Sequence, residues 1–232
     1  MSDSAPIHQK LNDISSLISK LIRKNVGRGP DSCHAFAKHH FLVFYIRGFL
    51  SPMETILLEH GKIDYVKFSR KLVMDSVLAS LKGILEHEFE HDVKGFYHDW
   101  KFEKNTGMIT VVFEQNITPV EDDIGKFPEC DLLIDEMRRI SALIQKTPEQ
   151  TEVYRITPKL FLVKLMGMLI PLEKALIAKG FQQILLDTLD DLENSYYQSL
   201  RRFEDLFKQP VADIFVDWNL TEDSSITCIM LR

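Results

Sequence analysis

The chain reads twice, and that limits its fold more than any single motif. Set FLVFYIRGFLSPMETILLEHGK above FLVKLMGMLIPLEKALIAKGF so that the glycines align. Gly48 then lies over Gly167, Leu50 over Leu169, Pro52 over Pro171, Glu54 over Glu173, Leu57 over Leu176 and Gly61 over Gly180. Further on, VKGFYHDWKFEKNTGMITVVF lies over VADIFVDWNLTEDSSITCIML. This pairs Val93 with Val211, Asp99 with Asp217 and Trp100 with Trp218, at the cost of one residue between the blocks. A period of roughly 120 residues is that of a domain, longer than the ~20 to 50 residues of solenoid repeats. The pattern predicts an internal duplication: a first module over 1–117, a linker over 118–128 rich in acid, proline and glycine, and a second, degenerate module over 129–232.

Each copy shows the same order of local signals. Ile14, Leu17, Ile18, Leu21 and Ile22 recur at helical spacing, as do the apolar residues of DLLIDEMRRISALIQ, so each copy opens with an amphipathic helix. FLVFYIRGF and FLVKLMGML are short, apolar and ended by glycine, which predicts buried strands. Ser51, Pro52 and Glu54 spell a helix start, because proline is tolerated in a first turn whose N–H has no partner anyway. That helix stops at Gly61. A longer one follows, from about Tyr65 to His91 in the first copy and from about Gln182 to Lys208 in the second. Two strands joined by the polar turns EKNTG and TEDSS close each copy. The expectation is an α+β protein of two tandem modules, each of order α-β-α-α-β-β. Three-strand sheets leave open edges, so the copies are expected to pack as a pseudo-twofold pair, as subunits of a C2 dimer do.

A hydrophobic fraction of 45% with 27% charged residues is the balance of a protein with a buried core. The net charge of -6 gives no electrostatic reason to bind nucleic acid. The first 24 residues lack the apolar core and cleavage site of a signal peptide. The longest apolar run, Leu160 to Leu172, is broken by Lys164 and falls short of the ~20 residues that span a bilayer. Direct membrane insertion is therefore not expected. Cys33, Cys130 and Cys228 form no pair at motif spacing and fit a reducing cytoplasm.

His87, Glu88 and His91 spell H-E-x-x-H, the spacing by which a helix offers two imidazoles to zinc beside a general base. Winding the helix puts Val77, Leu78, Leu81, Ile84, Leu85 and Phe89 on one apolar arc and His87 opposite it. In the second copy the three motif residues become Asp205, Leu206 and Gln209, while Phe89 recurs as Phe207. The packing residue repeats and the ligands do not. A polar helix end is the expected reading, with a zinc-dependent hydrolase using His87 and His91 as the alternative.

NVGRGPDS joins the first helix to the first strand, and Arg28, Gly29 and Arg47 could present guanidinium and N–H groups to a small anion. There is no G-K-[ST], so it is not a phosphate loop. A glycine helix stop with a proline turn explains the same residues. Gly48, Pro52, Glu54, Gly61 and Trp100, with Gly167, Pro171, Glu173, Gly180 and Trp218, are expected to be structural, the tryptophans anchoring each hairpin against a helix. No Ser/His/Asp or Cys/His set emerges from the local contexts.

GRGP, then FLVFYIRGFLSPMETILLEHGK, then a long helix and VKGFYHDWKFEKNTGMITVVFE resemble the MpsC-like family, named for the third component of a sodium-translocating, membrane-potential-generating system. The resemblance rests on Gly29, Pro30, Gly48, Leu50, Pro52, Glu54, Gly61 and the closing hairpin. The second half is similar only as a degenerate copy. The resemblance implies a cytoplasmic protein, peripheral to the membrane through a protein partner such as a transport complex for cations or inorganic carbon. It supplies no catalytic residue and no cofactor. The expected function is thus a non-enzymatic accessory or regulatory protein, with the zinc hydrolase and a small-anion sensor as alternatives and homo-oligomerisation open.

Overall fold

The computed structural model describes residues 4–119, 124–197 and 201–232. It divides the chain into two compact units, Met1–Val120 and Glu121–Arg232. The first contains α1 (Ser4–Val26), β1 (Ser32–Lys38), β2 (Phe41–Arg47), α2 (Pro52–Glu59), α3 (Ile63–Phe89), β3 (Val93–Lys101) and β4 (Thr106–Phe113). The second contains α4 (Cys130–Ile144), β5 (Gln150–Thr157), β6 (Leu160–Met166), α5 (Pro171–Ala178), α6 (Gln182–Tyr197), α7 (Arg201–Phe207), β7 (Val211–Asn219) and β8 (Ser224–Leu231). The α+β class holds, with two similarly built units.

Each unit carries one strand more than the sequence predicts. The sheets are antiparallel with orders β1-β2-β4-β3 and β5-β6-β8-β7. The first unit therefore has the order α-β-β-α-α-β-β; in the second, the helix expected from about Gln182 to Lys208 is described as α6 and α7, with 198–200 outside the described residues, and β1 and β5 are the added edge strands. SCHAFAK lacks the β-branched run that marks a strand, and its side chains are mostly half-buried. Its conformation comes from pairing with β2, from Ser32 opposite Arg47 to Lys38 opposite Phe41.

In the first unit α1 and α3 cover one sheet face. Ile14, Ile18 and Ile22 of α1 and Met74, Val77, Leu81 and Leu85 of α3 meet Leu42, Phe44 and Ile46 of β2 and Ile109, Val111 and Phe113 of β4. The helical residues recur every three or four positions and the strand residues every second one, as each backbone's period requires. The second unit repeats the scheme with Leu133, Met137 and Ile140 against Phe161, Val163, Leu165, Ile229 and Leu231.

α2 begins as its sequence directs. Ser51 Oγ accepts the Glu54 N–H at 3.3 Å, and the Glu54 carboxylate accepts the Ser51 N–H at 2.8 Å. In α5 the N-cap is Ile170, which has no side-chain oxygen. Only the return bond survives there, from Ile170 N–H to Glu173 at 2.9 Å.

Candidate functional site

The chemistry of the first unit gathers where β2 ends and α2 starts. Gly48 has φ +66°, and a Cβ on it would run into the Asp31 side chain, so only glycine fits. Its N–H donates to the Asn105 carbonyl at 2.9 Å. The Asn105 side-chain oxygen in turn accepts the N–H groups of Phe49 at 2.8 Å and Leu50 at 3.0 Å. The β3–β4 turn thereby fixes the strand exit and aims α2 at the flank of α3.

Under that turn lies a charge that nothing in the local sequence announces. Arg70 of α3 is only 2% exposed. Its Nη2 donates to Glu54 Oε2 at 2.6 Å, and its guanidinium lies 4.6 Å from the Phe49 ring centre and 5.2 Å from that of Trp100. Nε and Nη1 have no hydrogen-bond partner among the described residues, so aromatic faces stand in for acceptors. Burial draws the guanidinium down from its usual value, and the charge and hydrogen bond of Glu54 oppose that shift. The Glu54 carboxylate also accepts the Ser51 hydroxyl at 2.8 Å. One carboxylate thus joins the α2 cap to the middle of α3. The cluster holds a fixed, compensated charge; it orients α2.

Trp100 completes the cluster. It lies opposite Gly107 on β4, and a Cβ at Gly107 would collide with the indole, so the ring lies flat over the strand. Its edge packs on Phe49, with ring centres 4.6 Å apart, and its Nε1 donates to His98 Nδ1 at 3.2 Å. The indole thus packs the hairpin against Phe49 and against Arg70 of α3.

The second unit keeps the scaffold and changes the charges. Asp223 takes the place of Asn105, its side chain accepting the N–H groups of Met168 and Leu169, each at 2.8 Å, while Gly167 N–H donates to its carbonyl at 2.8 Å. Burial would raise the Asp223 carboxyl, but the N–H groups of Leu169 and Met168 and the Lys174 ammonium 3.1 Å away hold it below its usual range. Leu189 stands where Arg70 does and Met168 where Phe49 does, both buried. Gln145 supplies neutral N–H donors to Glu173 at 2.9 Å in place of a guanidinium. The Trp218 Nε1 donates to Glu193 at 3.0 Å.

Of Arg28, Gly29 and Arg47, Arg28 alone has a side chain shown on a carboxylate. Arg28 pairs with Asp31 at 3.1 Å, and the Asp31 N–H donates to the Arg47 carbonyl at 2.9 Å. Arg47 is exposed and has no charged partner among the described residues. A pair of the same spacing recurs between Lys146 and Glu149 at 3.0 Å, so the cation at Arg28 is not confined to the first unit. Gly29 lies close to the Arg23 side chain.

The H-E-x-x-H residues lie across a helix end. α3 stops at Phe89, and Glu90 has a left-handed conformation at φ +58°. His87 is therefore exposed on the last turn and His91 lies beyond the helix, not on the next turn of the same face. The Glu88 carbonyl accepts from the Lys10 ammonium. Among the described residues no three His, Cys, Asp or Glu side chains are grouped as a metal would require.

Residues 7–115 match the family described as the Na+-translocating membrane potential-generating system (MpsC). The first unit is thus similar to the MpsC family along nearly its whole length. No curated protein and no solved structure matches the chain. The whole Glu54–Arg70–Trp100 cluster lies inside the MpsC match, as do Arg28, Arg47, His87 and His91. Among the described residues no helix is long and apolar enough to cross a membrane.

Sequence reasoning missed Arg70, because an arginine between Ser69 and Lys71 reads as part of a solvated helix face. One signal was present: aligned through Gly61 and Gly180, Arg70 falls over Leu189, an apolar residue at a core position.

Proposed function

We propose that this chain is a non-enzymatic accessory or regulatory protein of a sodium-translocating, membrane-potential-generating system, acting in the cytoplasm and reaching the membrane through a protein partner. The observation that carries this reading is the MpsC match across nearly all of the first unit. The cluster inside that match supports it: Arg70 is closed off by Glu54, Phe49 and Trp100, a construction that fixes the shape of α2 for recognition. The second unit is a diverged tandem copy. Equivalent hydrogen bonds at Gly48 and Gly167, at Asn105 and Asp223, and from the Val93 N–H to Glu86 and the Val211 N–H to Glu204 support that descent.

The test is sodium-dependent membrane potential, read with a voltage-sensitive dye in cells that make the native transport system, with and without this chain. Loss of the sodium-dependent component without the chain, restored by its return, is expected. An unchanged potential overturns the reading. Metal content of untagged protein runs alongside: about one zinc per chain, lost when His87 and His91 are both changed to alanine, would favour the hydrolase instead.

A second reading rests on Arg47, exposed beside the Arg28–Asp31 pair. A small anion such as bicarbonate could take the place of the Asp31 carboxylate there, making the loop a sensor. It predicts saturable thermal stabilisation by the anion that is lost in Arg47→Met, the residue of the second unit.

A further inference from the structure

A helix at a protein surface normally confines its apolar residues to the side facing the core. α3 does not. Val66, Met74, Val77, Leu81 and Leu85 line its inner face, yet Tyr65, Phe68 and Leu72 are each more than half exposed, as are Met53 and Ile56 of α2 just before it. At 100° per residue, Tyr65, Phe68 and Leu72 fall within an arc of about 60°. The fold does not require this stripe. In the second unit the residues aligned with Phe68 and Leu72 are Asp187 and Asp191, and α6 still turns Leu185 and Leu189 inward, while Ile184 and Leu172, aligned with Tyr65 and Met53, are exposed.

We propose that the α2–α3 face of the first unit binds the same face of a second copy of this chain, with the two α3 helices antiparallel about a twofold axis near Phe68. Two observations identify a second copy as the occupant. The first is area. Five large side chains, each more than half exposed, offer about 600 Å² per copy and about 1,200 Å² for a pair, above the ~1,000 Å² that a specific interface needs. The second is charge. Asp64 and Lys71 are exposed on one flank of the stripe, one on each side of Phe68 along the helix. An antiparallel twofold through that point sets Asp64 of each copy against Lys71 of the other, so the surface is complementary to itself, as an isologous contact requires. A parallel pair about a twofold along the helices would put the two charged flanks on opposite sides of the seam, where neither charge meets its opposite. The pairing does not depend on the transport reading.

The test is sedimentation equilibrium of the full chain from about 1 to 100 µM, a range that brackets a micromolar interface. A reversible dimer is expected. Phe68→Arg, an exposed substitution that leaves the circular dichroism spectrum unchanged, weakens it by at least about thirtyfold, the loss typical of a central anchor. Asp64→Lys and Lys71→Asp each weaken it, and the double exchange restores it. A monomer throughout this range overturns the proposal and leaves the face to a different protein. A dimer indifferent to Phe68→Arg overturns it by placing the contact elsewhere. Failure of the double exchange to restore binding overturns the antiparallel register.

Discussion

Arg70 and Glu54 form an ion pair inside the first unit, N to O 2.6 Å, with the arginine 2% exposed and two of its nitrogens facing rings instead of acceptors. Desolvating both charges offsets most of what their attraction gains, whereas removing one partner leaves the other buried and uncompensated. Arg70→Leu, which copies Leu189, is expected to cost about 3 kcal/mol. Adding Glu54→Gln should recover most of that loss, since a glutamine at this position still completes the cap and carries no charge. Urea unfolding of the single and double variants checks both; a double variant as unstable as the single would mean that the guanidinium contributes through packing alone.

The fit of Trp100 on Gly107 is steric. The glycine needs no unusual backbone angle, but any Cβ there meets the indole, which is itself wedged against Phe49 and Arg70. Gly107→Ala should destabilise the first unit by about 1 to 3 kcal/mol, as overpacking does. It should also move the emission of Trp100. In the second unit Ser225 lies opposite Trp218, so the indole there is accommodated beside a native Cβ. Ser225→Ala is expected to change stability by less than about 1 kcal/mol, and a loss as large as that of Gly107→Ala would refute the steric account.

Cys130 and Cys228 are buried and Cys33 is half-buried, and all three are free thiols. Burial pushes the Cys33 thiol up to about 12, against the pull of a hydrogen bond with Ser19. Since only the thiolate reacts, alkylation by iodoacetamide at pH 8 should be slow in the folded chain and become complete in urea. Rapid single labelling of the folded chain, located to Cys33 by mass spectrometry, would contradict this.

What was legible in the sequence is what local chemistry decides. The start of α2 follows from Ser51, Pro52 and Glu54, because capping and a fixed proline φ are properties of neighbours in the chain. The hairpins follow from polar turns between apolar runs, and the weight of Trp100 and Trp218 from their recurrence. What was not legible depends on partners distant in sequence. β1 is a strand because β2 is beside it, and Cys33, Ala35 and Ala37 carry little strand preference of their own. Arg70 is buried only because α2 folds back over it and brings Glu54 within reach. The broken register of the two histidines turns on one left-handed residue, Glu90, whose conformation its own side chain does not favour.

Asn105 and Asp223 do the same work with different acid behaviour. Each side-chain oxygen accepts the two N–H groups that follow the strand-ending glycine, but only Asp223 titrates. Its folded carboxyl is held below the ordinary carboxylate range by those N–H groups and by Lys174, against the effect of burial. A lowered folded value means that the ionised form is preferred on folding. The stabilisation is fully present above the unfolded-state value, near ~4, and is lost as pH falls through the lower folded value. The second unit should therefore lose stability through Asp223 as pH falls below about 4, where the Asn105 site contributes no pH dependence. Asp223→Asn should flatten that part of the curve while keeping the acceptor for Met168 and Leu169, at the cost of the contact with Lys174. Thermal unfolding from pH 2 to 7 checks this: an acid limb equally steep in Asp223→Asn would assign the acid sensitivity to other carboxylates.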